Sequence, residues 1–388
     1  MKIGYDGKRA VMNNTGLGNY SRLLVDVLSK RYPENDYVLY TPVMQANKRL
    51  EPLLERPNVY LSAPDTKLGK AVSSIWRVSG IAAQLERDKI QLMHGLSGEL
   101  PLNLGSGIAS VVTIHDLIFR RCPANYHAID REIYDYKFRH ACRHAARIIA
   151  ISECTKRDIV SDYGTDPDRI DVVYQGCHSQ FHRTPSKAEI EAVKKKYGLE
   201  RPYIISVGTI ESRKNQIECV RGVRGLPDDF DVVLVGRRTQ YAHTIDEYVR
   251  QYNMGDRVKF IDNAAFTDLP AMYAGAYCSS YTSRYEGFGI PVIESLSVGT
   301  PVVVATGSCL EEAGGPDTPA VSPDDVEEWI NTVREIINYP STRDKIARKG
   351  KEYVKRFNDQ AMAEETMKSY YKALDSAPMT GNVDECNR

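Results

Sequence analysis

Short apolar runs alternate along the chain with stretches whose apolar residues return every three or four positions. KIGYD, DYVLYTP, VYLSA, IQLMHGL and ASVVTIHDL read as strands, with amphipathic helices over LGNYSRLLVDVLSKRY and AVSSIWRVSGIAAQLERD between them. Beyond Asp130 follow a helix over REIYDYKFRHACRHAAR, the run IIAIS, a helix over CTKRDIVSDYG and the run RIDVVYQG. From His178 to about Glu200 the chain turns polar, carries Pro185 and holds one charged helix, KAEIEAVKKKYGL, so this stretch reads as a linker. The rhythm then restarts with YIISVG, a helix over NQIECVRGVRG, DFDVVLVG, a helix over HTIDEYVRQY, RVKFID, a helix over DLPAMYAG, AYCSSYT, a helix over PVIESLSV and TPVVVAT. Runs such as IISVG, VVLVG and PVVVA are apolar throughout, as expected of parallel strands covered on both faces. Three helical patterns without intervening strands close the chain, and the tail at 377–388 reads as disordered.

The fold class this predicts is α/β: two Rossmann-like, doubly wound domains, residues 1–180 and 181–357. Such domains bind ligands beyond the carboxyl ends of their strands, so chemistry is expected in a central cleft that both domains face. A length of 388 residues agrees, at roughly 150 residues per domain.

Composition removes several function classes. Lys plus Arg and Asp plus Glu each number 51, so no global basic field exists to hold nucleic acid. No apolar run approaches the roughly 18 residues needed to span a bilayer, and MKIGYDGKRA lacks the apolar core of an export signal, which predicts a cytoplasmic protein. Eight cysteines without a Cys-x-x-Cys pair predict reduced thiols. The 24 tyrosines are the one compositional oddity.

The most informative segment is SRYEGFGIPVIESLSVGTP, residues 283–301, which reads as a strand end, a glycine turn and a short helix. Pro291 suits the first helical position, and Gly299 with Pro301 forms a stop signal. Gly287 and Gly289 let backbone come close to a ligand, and the amides opening the helix suit a phosphate. Glu286 precedes the turn and Glu294 falls in the helix's first turn, so both carboxylates can accept hydroxyl hydrogen bonds from one ligand. In SVGTIESRKNQ, residues 206–216, a buried strand ends at the Gly208 turn, followed by Arg213, Lys214 and a helix. Two cations at a helix N-terminus oppose its dipole by about 0.3–1 kcal/mol each, a conflict that an arriving diphosphate would resolve.

The unbroken run from Glu286 through Gly287, Phe288 and Gly289 to Glu294 resembles the signature of the GT-B glycosyltransferases of the large retaining family four, in which two Glu residues flank a seven-residue spacer. The resemblance implies that Glu286 contacts the transferred sugar, Glu294 the nucleotide ribose, and the amides of Gly287, Phe288 and Gly289 the sugar and phosphate. The run from Gly208 to Asn215 is similar to the family's G-x-x-x-x-R-K-N motif, which implies that Arg213 and Lys214 neutralise the departing diphosphate. Ser283 stands where the family has serine, while Thr282 replaces its proline, and Glu312 in CLEEAGG aligns with an acidic family position.

Three features of the first half extend the resemblance. The loop Thr15-Gly16-Leu17-Gly18-Asn19-Tyr20-Ser21 has Ser21 where a dinucleotide fingerprint needs glycine, and the next strand ends without an acid, so NAD is not expected. It is similar to the family's glycine loop, which puts Gly16 and Gly18 near the donor phosphates. His115 and Asp116 end the strand ASVVTIHDL and match an I-H-D motif, implying that His115 approaches the donor sugar and Asp116 orients it or the loop. The last helix, about 358–376 with Tyr370 and Tyr371, resembles the crossover helix that returns to the first domain.

Other clusters read as structural. Asp166-Pro167-Asp168 is a D-x-D with a rigid proline in a turn, and His140 and His144 flank Cys142 on one helix face without the acid of a zinc motif. No metal site is expected from either. Arg131, Lys137, Arg139, Arg143 and Arg147, interleaved with Tyr134, Tyr136 and Phe138 over 131–147, form a helix face that could lie against an anionic membrane or a lipid-linked acceptor.

The resemblance as a whole implies a retaining, metal-independent hexosyltransferase that uses a nucleotide-diphosphate sugar and no further cofactor. KIGYDGKRA, TGLGNYSR and Ile75-Trp76-Arg77 are similar to bacterial mannosyltransferases of polysaccharide and O-antigen assembly, which makes GDP-mannose the first donor to consider. The acceptor is then a glycan or lipid-linked saccharide, met in the cytoplasm, with the inner membrane face as a further location. The competing readings are a two-lobed sugar-binding protein without chemistry and a nucleotide-sugar hydrolase or epimerase of the same fold.

Overall fold

A computed structural model describes residues 1–65 and 75–376, so part of the helix over AVSSIWRVSGIAAQLERD and the whole tail at 377–388 lie outside the described residues. Two units result. One comprises Met1–Phe119, Tyr126–Gln175 and the segment from Asp359; the other comprises Arg120–Asn125 and Gly176–Asn358.

The first unit is built on a seven-stranded parallel sheet. Its strands are β1 (Lys2–Asp6), β2 (Asp36–Tyr40), β3 (Val59–Ser62), β4 (Leu92–Gly95), β5 (Ala109–Ile114), β6 (Arg147–Ala150) and β7 (Ile170–Val172). Their spatial order is β3-β2-β1-β4-β5-β6-β7. Each of these strands falls on an apolar run of the sequence, and β4 and β5 are buried along their whole length, as helices on both faces require. Helix α1 (Gly16–Arg31) buries Tyr20, Leu24 and Leu28 along one stripe, and helix α2 (Ala128–His144) buries Ala141 and Cys142. The chain returns at its end as helix α6 (Asp359–Ser376), whose Met362, Ala363, Met367 and Tyr370 join the core against β4, β5 and β6. That is the C-terminal helix which the sequence resemblance implied.

The second unit carries six parallel strands: β8 (Tyr203–Val207), β9 (Asp231–Val235), β10 (Val258–Ile261), β11 (Cys278–Tyr281), β12 (Val302–Ala305) and β13 (Ala320–Val321). The order β10-β9-β8-β11-β12-β13 repeats that of the first unit's leading six strands. In both sheets chain progression reverses beside the first strand, between β1 and β4 and again between β8 and β11. Loops leaving the carboxyl ends of those neighbours diverge and leave a crevice, the usual ligand position in open α/β sheets.

One expectation needs correcting. The stretch 178–200 is no linker: it contributes a 3-10 turn, Ser179–His182, and helix α3 (Lys187–Tyr197), closed by a capping box of Ser186 and Glu189 and by left-handed Gly198. Ile190 of that helix lies against Gly275, so the segment belongs to the second unit's packing. On the basic face of 131–147 three of the five cations are paired within the unit: Lys137 with Glu99 at 3.1 Å, Arg139 with Asp135 at 2.9 Å and Arg147 with Asp171 at 2.6 Å. What α2 leaves exposed is an apolar row, Ile129, Ile133 and Tyr136. No described helix is long and apolar enough to cross a membrane.

Candidate active site

The two motif loops of the second unit follow β8 and β11, the pair at which strand order reverses. After β8 the chain passes Gly208, whose φ of +144° strongly favours glycine. It then makes a single 3-10 turn, Ser212–Lys214, and Asn215 enters the left-handed region at φ +53°. Helix α4 (Ile217–Gly222) starts only after that. Arg213 and Lys214 therefore stand on their own turn and not at a helix N-terminus, because left-handed Asn215 interrupts the backbone ladder.

The two loops are stitched together. Arg284 N–H donates to the Arg213 carbonyl at 2.9 Å, and the Asn215 amide donates to the carbonyls of Thr282 at 3.2 Å and Pro323 at 2.7 Å. Thr282, standing in for the family's proline, returns a bond from its hydroxyl to the Asn215 carbonyl at 3.0 Å. Ser283 beside it is buried.

On this frame one carboxylate meets both cations. Glu286 Oε1 is 2.7 Å from Lys214 Nζ, and Oε2 is 2.7 Å from Arg213 Nη1. Arg213 also reaches Glu211 at 2.6 Å and the Tyr285 carbonyl at 2.6 Å. Burial by itself would raise the Glu286 pKa, but Lys214 and Arg213 outweigh it and hold the carboxyl below its ordinary range. Burial pulls Arg213 the other way, and Glu286 with Glu211 more than restores its charge. The positive pair anticipated from sequence thus has an internal counter-ion.

Glu294 sits differently. Helix α5 (Ile290–Val298) begins one residue earlier than the sequence suggested, with Pro291 second and Glu294 in its second turn. Glu294 is buried, and burial raises its pKa to about 8 despite a 3.2 Å hydrogen bond donated by the Tyr273 hydroxyl. Tyr281 shares that network at 2.7 Å from Tyr273, and its hydroxyl accepts the Val207 amide at 3.3 Å. Two carboxylates of one motif are therefore shifted in opposite directions: the two cations favour the ionised form of Glu286, and burial favours the protonated form of Glu294.

The glycine turn has supports that sequence reasoning missed. The Cys309 thiol donates to the carbonyls of Glu286, at 3.1 Å, and Phe288, fixing the turn from below. A Cβ on Gly289 would stand 2.7 Å from that of Ala313, so this glycine is required by packing. Gly236, the residue after β9, has φ +143° and presses so close to the Gly208 carbonyl that a side chain would collide. Its signal was legible: VVLVG ends as IISVG does. Cys309 gave none, since a lone buried cysteine has no pattern.

In the first unit, Gly18 is required where α1 meets the Asn13 backbone, whereas a Cβ on Gly16 would meet nothing within 4 Å. Asn13 Oδ1 accepts the amides of Thr15 at 2.8 Å and Gly18 at 3.3 Å, so the chain itself caps this loop. His115 Nε2 faces the Leu96 carbonyl at 2.9 Å, and its ring meets Tyr20 edge-on at 4.5 Å. A carbonyl only accepts, so the proton is on Nε2; burial lowers the pKa to about 4, leaving Nδ1 as a lone pair at neutral pH. Asp116 Oδ1 accepts the Ile118 amide at 3.0 Å and so shapes the loop. Of the structural clusters, Asp166 caps the turn holding Asp168, at 2.9 Å, and His140 stacks on His144 at 4.2 Å. Glu312 offers its carbonyl to Tyr353 at 2.9 Å.

Known families match most of the chain. The family model for glycosyl transferases group 1 matches residues 188–353, and that for glycosyltransferase family 4 matches residues 15–181. O-antigen chain mannosyltransferase B of Escherichia coli is 28% identical over 73% of this chain and 74% of its own. O-antigen chain mannosyltransferase RfbU of Salmonella typhimurium is 26% identical over 59% of this chain and 61% of its own. Among solved structures, HepE of Anabaena in complex with UDP superposes with a TM-score of 0.75 at 18% identity, covering 96% of this chain and 100% of the other. Sucrose-phosphate synthase of Thermosynechococcus elongatus gives 0.74 at 20% identity, covering 97% and 100%.

Proposed function

The chain belongs to the group 1, family 4 glycosyltransferases, and from that premise we propose that it moves mannose from GDP-mannose to a glycan or lipid-linked saccharide, retaining the anomeric configuration without a divalent metal. The coarser activity, hexosyl transfer from a nucleotide sugar, follows from the family. Mannose is favoured by the names of the two bacterial relatives.

The observation that carries the reading is the meeting of Arg213 and Lys214 on Glu286 at the strand-order reversal of the second unit. As the bond from C1 of the sugar to the phosphate oxygen breaks, negative charge gathers on the diphosphate. Two cations already oriented in a largely buried site stabilise it with little reorganisation. They also supply the charge that a divalent metal would otherwise bring. Glu286, ionised and freed from one partner as the diphosphate engages it, accepts hydroxyl hydrogens of the sugar. Glu294, protonated beside Tyr273, offers both a donor and an acceptor to the ribose. On the same face of C1 the acceptor oxygen bonds to carbon while its proton passes to the departing phosphate oxygen. Within the second unit Gly208 and the turn from Gly287 to Gly289 leave room for the diphosphate, while in the first unit the glycine loop of Gly16 and Gly18 and His115, whose Nδ1 keeps a lone pair, are that unit's candidate donor contacts. This reading puts the enzyme in the cytoplasm, with approach to a membrane through Ile129, Ile133 and Tyr136, since most of the nearby cations are paired.

Incubation with GDP-mannose and an acceptor, with and without EDTA, tests it. Equal rates and an α-linked product by NMR are expected. Activity lost in EDTA and restored by Mn²⁺, a β-linked product, or free sugar formed regardless of acceptor would each contradict it.

A further inference from the structure

A line of buried polar groups crosses the first unit from its last helix to His115. The Tyr370 hydroxyl of α6 lies 2.7 Å from His94 Nδ1, and His94 Nε2 lies 2.8 Å from Thr113 Oγ1. Thr113 Oγ1 is in turn 3.2 Å from the hydroxyl of Tyr20, whose ring meets that of His115 edge-on at 4.5 Å. The line has a direction. Tyr370 donates to the Tyr5 hydroxyl at 3.2 Å, so its oxygen is left to accept, and the single proton of neutral His94 is on Nδ1. Nε2 then accepts from Thr113, and Thr113 accepts from Tyr20. Tyr20, His94, Thr113 and Tyr370 are all buried. Polar side chains in a core cost free energy unless each finds its partner, and apolar residues of similar volume would fill the same space without that demand. What a fully satisfied line adds is one defined arrangement.

We propose that Tyr370, His94 and Thr113 are positioning residues for hexosyl transfer: acting through Tyr20 they hold the His115 ring in one orientation, so that the last helix of the chain sets the geometry of a candidate donor contact. The proposal rests on the transferase reading. The His115 ring is held on two sides, by the Leu96 carbonyl, which accepts from Nε2 at 2.9 Å, and by the edge of Tyr20. Both supports run back to the same line. Leu96 follows His94 out of β4, and Tyr20 is pinned by Thr113, two residues ahead of His115 along β5. The rest of the ring faces a cavity of about 150 Å³ shared with Arg9, Leu17 and Asp116, where a released imidazole has room to turn. Loss of the Tyr370 hydroxyl would strand the proton on His94 Nδ1 in a buried place. A change of tautomer, with no net proton gained, relieves that by moving the proton to Nε2, and Thr113 must then donate to Tyr20 instead of accepting from it. The Tyr20 hydroxyl loses its acceptor, and as it seeks another the ring edge leaves His115.

Nitrogen-15 NMR of the histidine rings in the whole protein, read beside steady-state kinetics with GDP-mannose as donor and methyl α-mannoside as acceptor, tests this. Wild type is expected to carry the His94 proton on Nδ1 and the His115 proton on Nε2. Tyr370→Phe and Thr113→Val each remove one hydroxyl and keep the shape of the side chain. Tyr370→Phe should move the His94 proton to Nε2, and Thr113→Val should leave it on Nδ1. In both variants His115 should populate two tautomers, and kcat should fall about tenfold with the donor KM unchanged, as for a misplaced group. Thr113→Ser, which keeps the hydroxyl, should restore a single His115 tautomer and the wild-type kcat. A single His115 tautomer in both Tyr370→Phe and Thr113→Val, a wild-type kcat in both, or a Thr113→Ser protein that behaves as Thr113→Val does would each overturn the proposal. Wild type inactive with these substrates counts against the transferase reading alone, and the ring tautomers then decide whether Tyr370 governs His115.

Discussion

Lys214 and Glu286 stand 72 positions apart in sequence, and Nζ lies 2.7 Å from Oε1. Arg213 takes the other oxygen of the same carboxylate. One acid thus bridges two cations where strand order reverses, with Glu211 as a second counter-ion on Arg213, and a donor diphosphate would compete for those cations. On the proposed reading the same residues contribute to stability before catalysis and to charge stabilisation during it.

Removing either side of this pair separates the two contributions. Lys214→Ala is expected to lower kcat by about 10²–10³, the usual effect of losing one donor to a developing anion. Glu286→Gln should cost about 2 kcal/mol in urea unfolding, less than the 3–5 typical of a broken buried pair because Glu211 stays on Arg213. The double variant Lys214→Met/Glu286→Gln should recover part of that stability and none of the activity. Wild-type rates in the single variants would rule out their proposed roles.

Glu294 makes stability depend on pH. Its pKa is raised from 4.5 to about 8 by burial, so the folded state holds a proton that the unfolded chain has lost. That contribution is fully present below pH 4.5 and disappears as pH rises through 8. Glu294→Gln, which stays neutral, should therefore gain on wild type across that window, at up to about 1.4 kcal/mol per unit, and run parallel to it above. Parallel curves throughout would show Glu294 ionised at neutral pH.

Histidines act in the opposite sense. His94, bonded to Thr113 at 2.8 Å and to Tyr370 at 2.7 Å, has its pKa lowered by burial to about 3, and His115 to about 4. Both are neutral when folded and charged when unfolded below their ordinary 6.5. Their stabilisation is present above that value and is lost as pH falls through the folded values. Calorimetric unfolding at pH 5 should take up about two protons more through these two groups than at pH 8. Uptake that is absent from wild type, or unchanged in His94→Gln, would contradict this.

The glycine loop offers a steric contrast. Gly18→Ala must push the Asn13 backbone aside and is expected to cost about 1–3 kcal/mol. Gly16→Ala meets open space and should stay within about 0.5 kcal/mol of wild type. Equal losses in thermal unfolding would mean that the helix entry is not set by that close approach.

Parallel strands were legible because burial on both faces leaves uninterrupted apolar runs, as in VVLVG, and the motif loops because glycine, proline and charge fall at fixed spacing. What escaped the sequence was pairing at long range. Arg213 and Lys214 looked like cations awaiting an anion, since nothing local shows that Glu286 turns back on them. The stretch 178–200 looked like a linker because α3 buries little but Val193 and partly Ile190, too short a stripe to register. Tyr273 and Tyr281 escaped notice because a tyrosine eight residues from another has no period of its own, yet Tyr273 donates a hydrogen bond to Glu294 and Tyr281 extends that network.

Thermal unfolding of wild type and Lys214→Ala across a series of GDP, UDP and ADP concentrations tests the central claim most directly, because a ligand of the folded state stabilises by mass action, about 2.7 kcal/mol at 100 times Kd. One nucleotide, GDP on the present reading, is expected to raise the wild-type midpoint with concentration and to leave Lys214→Ala nearly unmoved. No shift with any nucleotide, or the same shift in both proteins, would contradict a diphosphate site built on Arg213, Lys214 and Glu286.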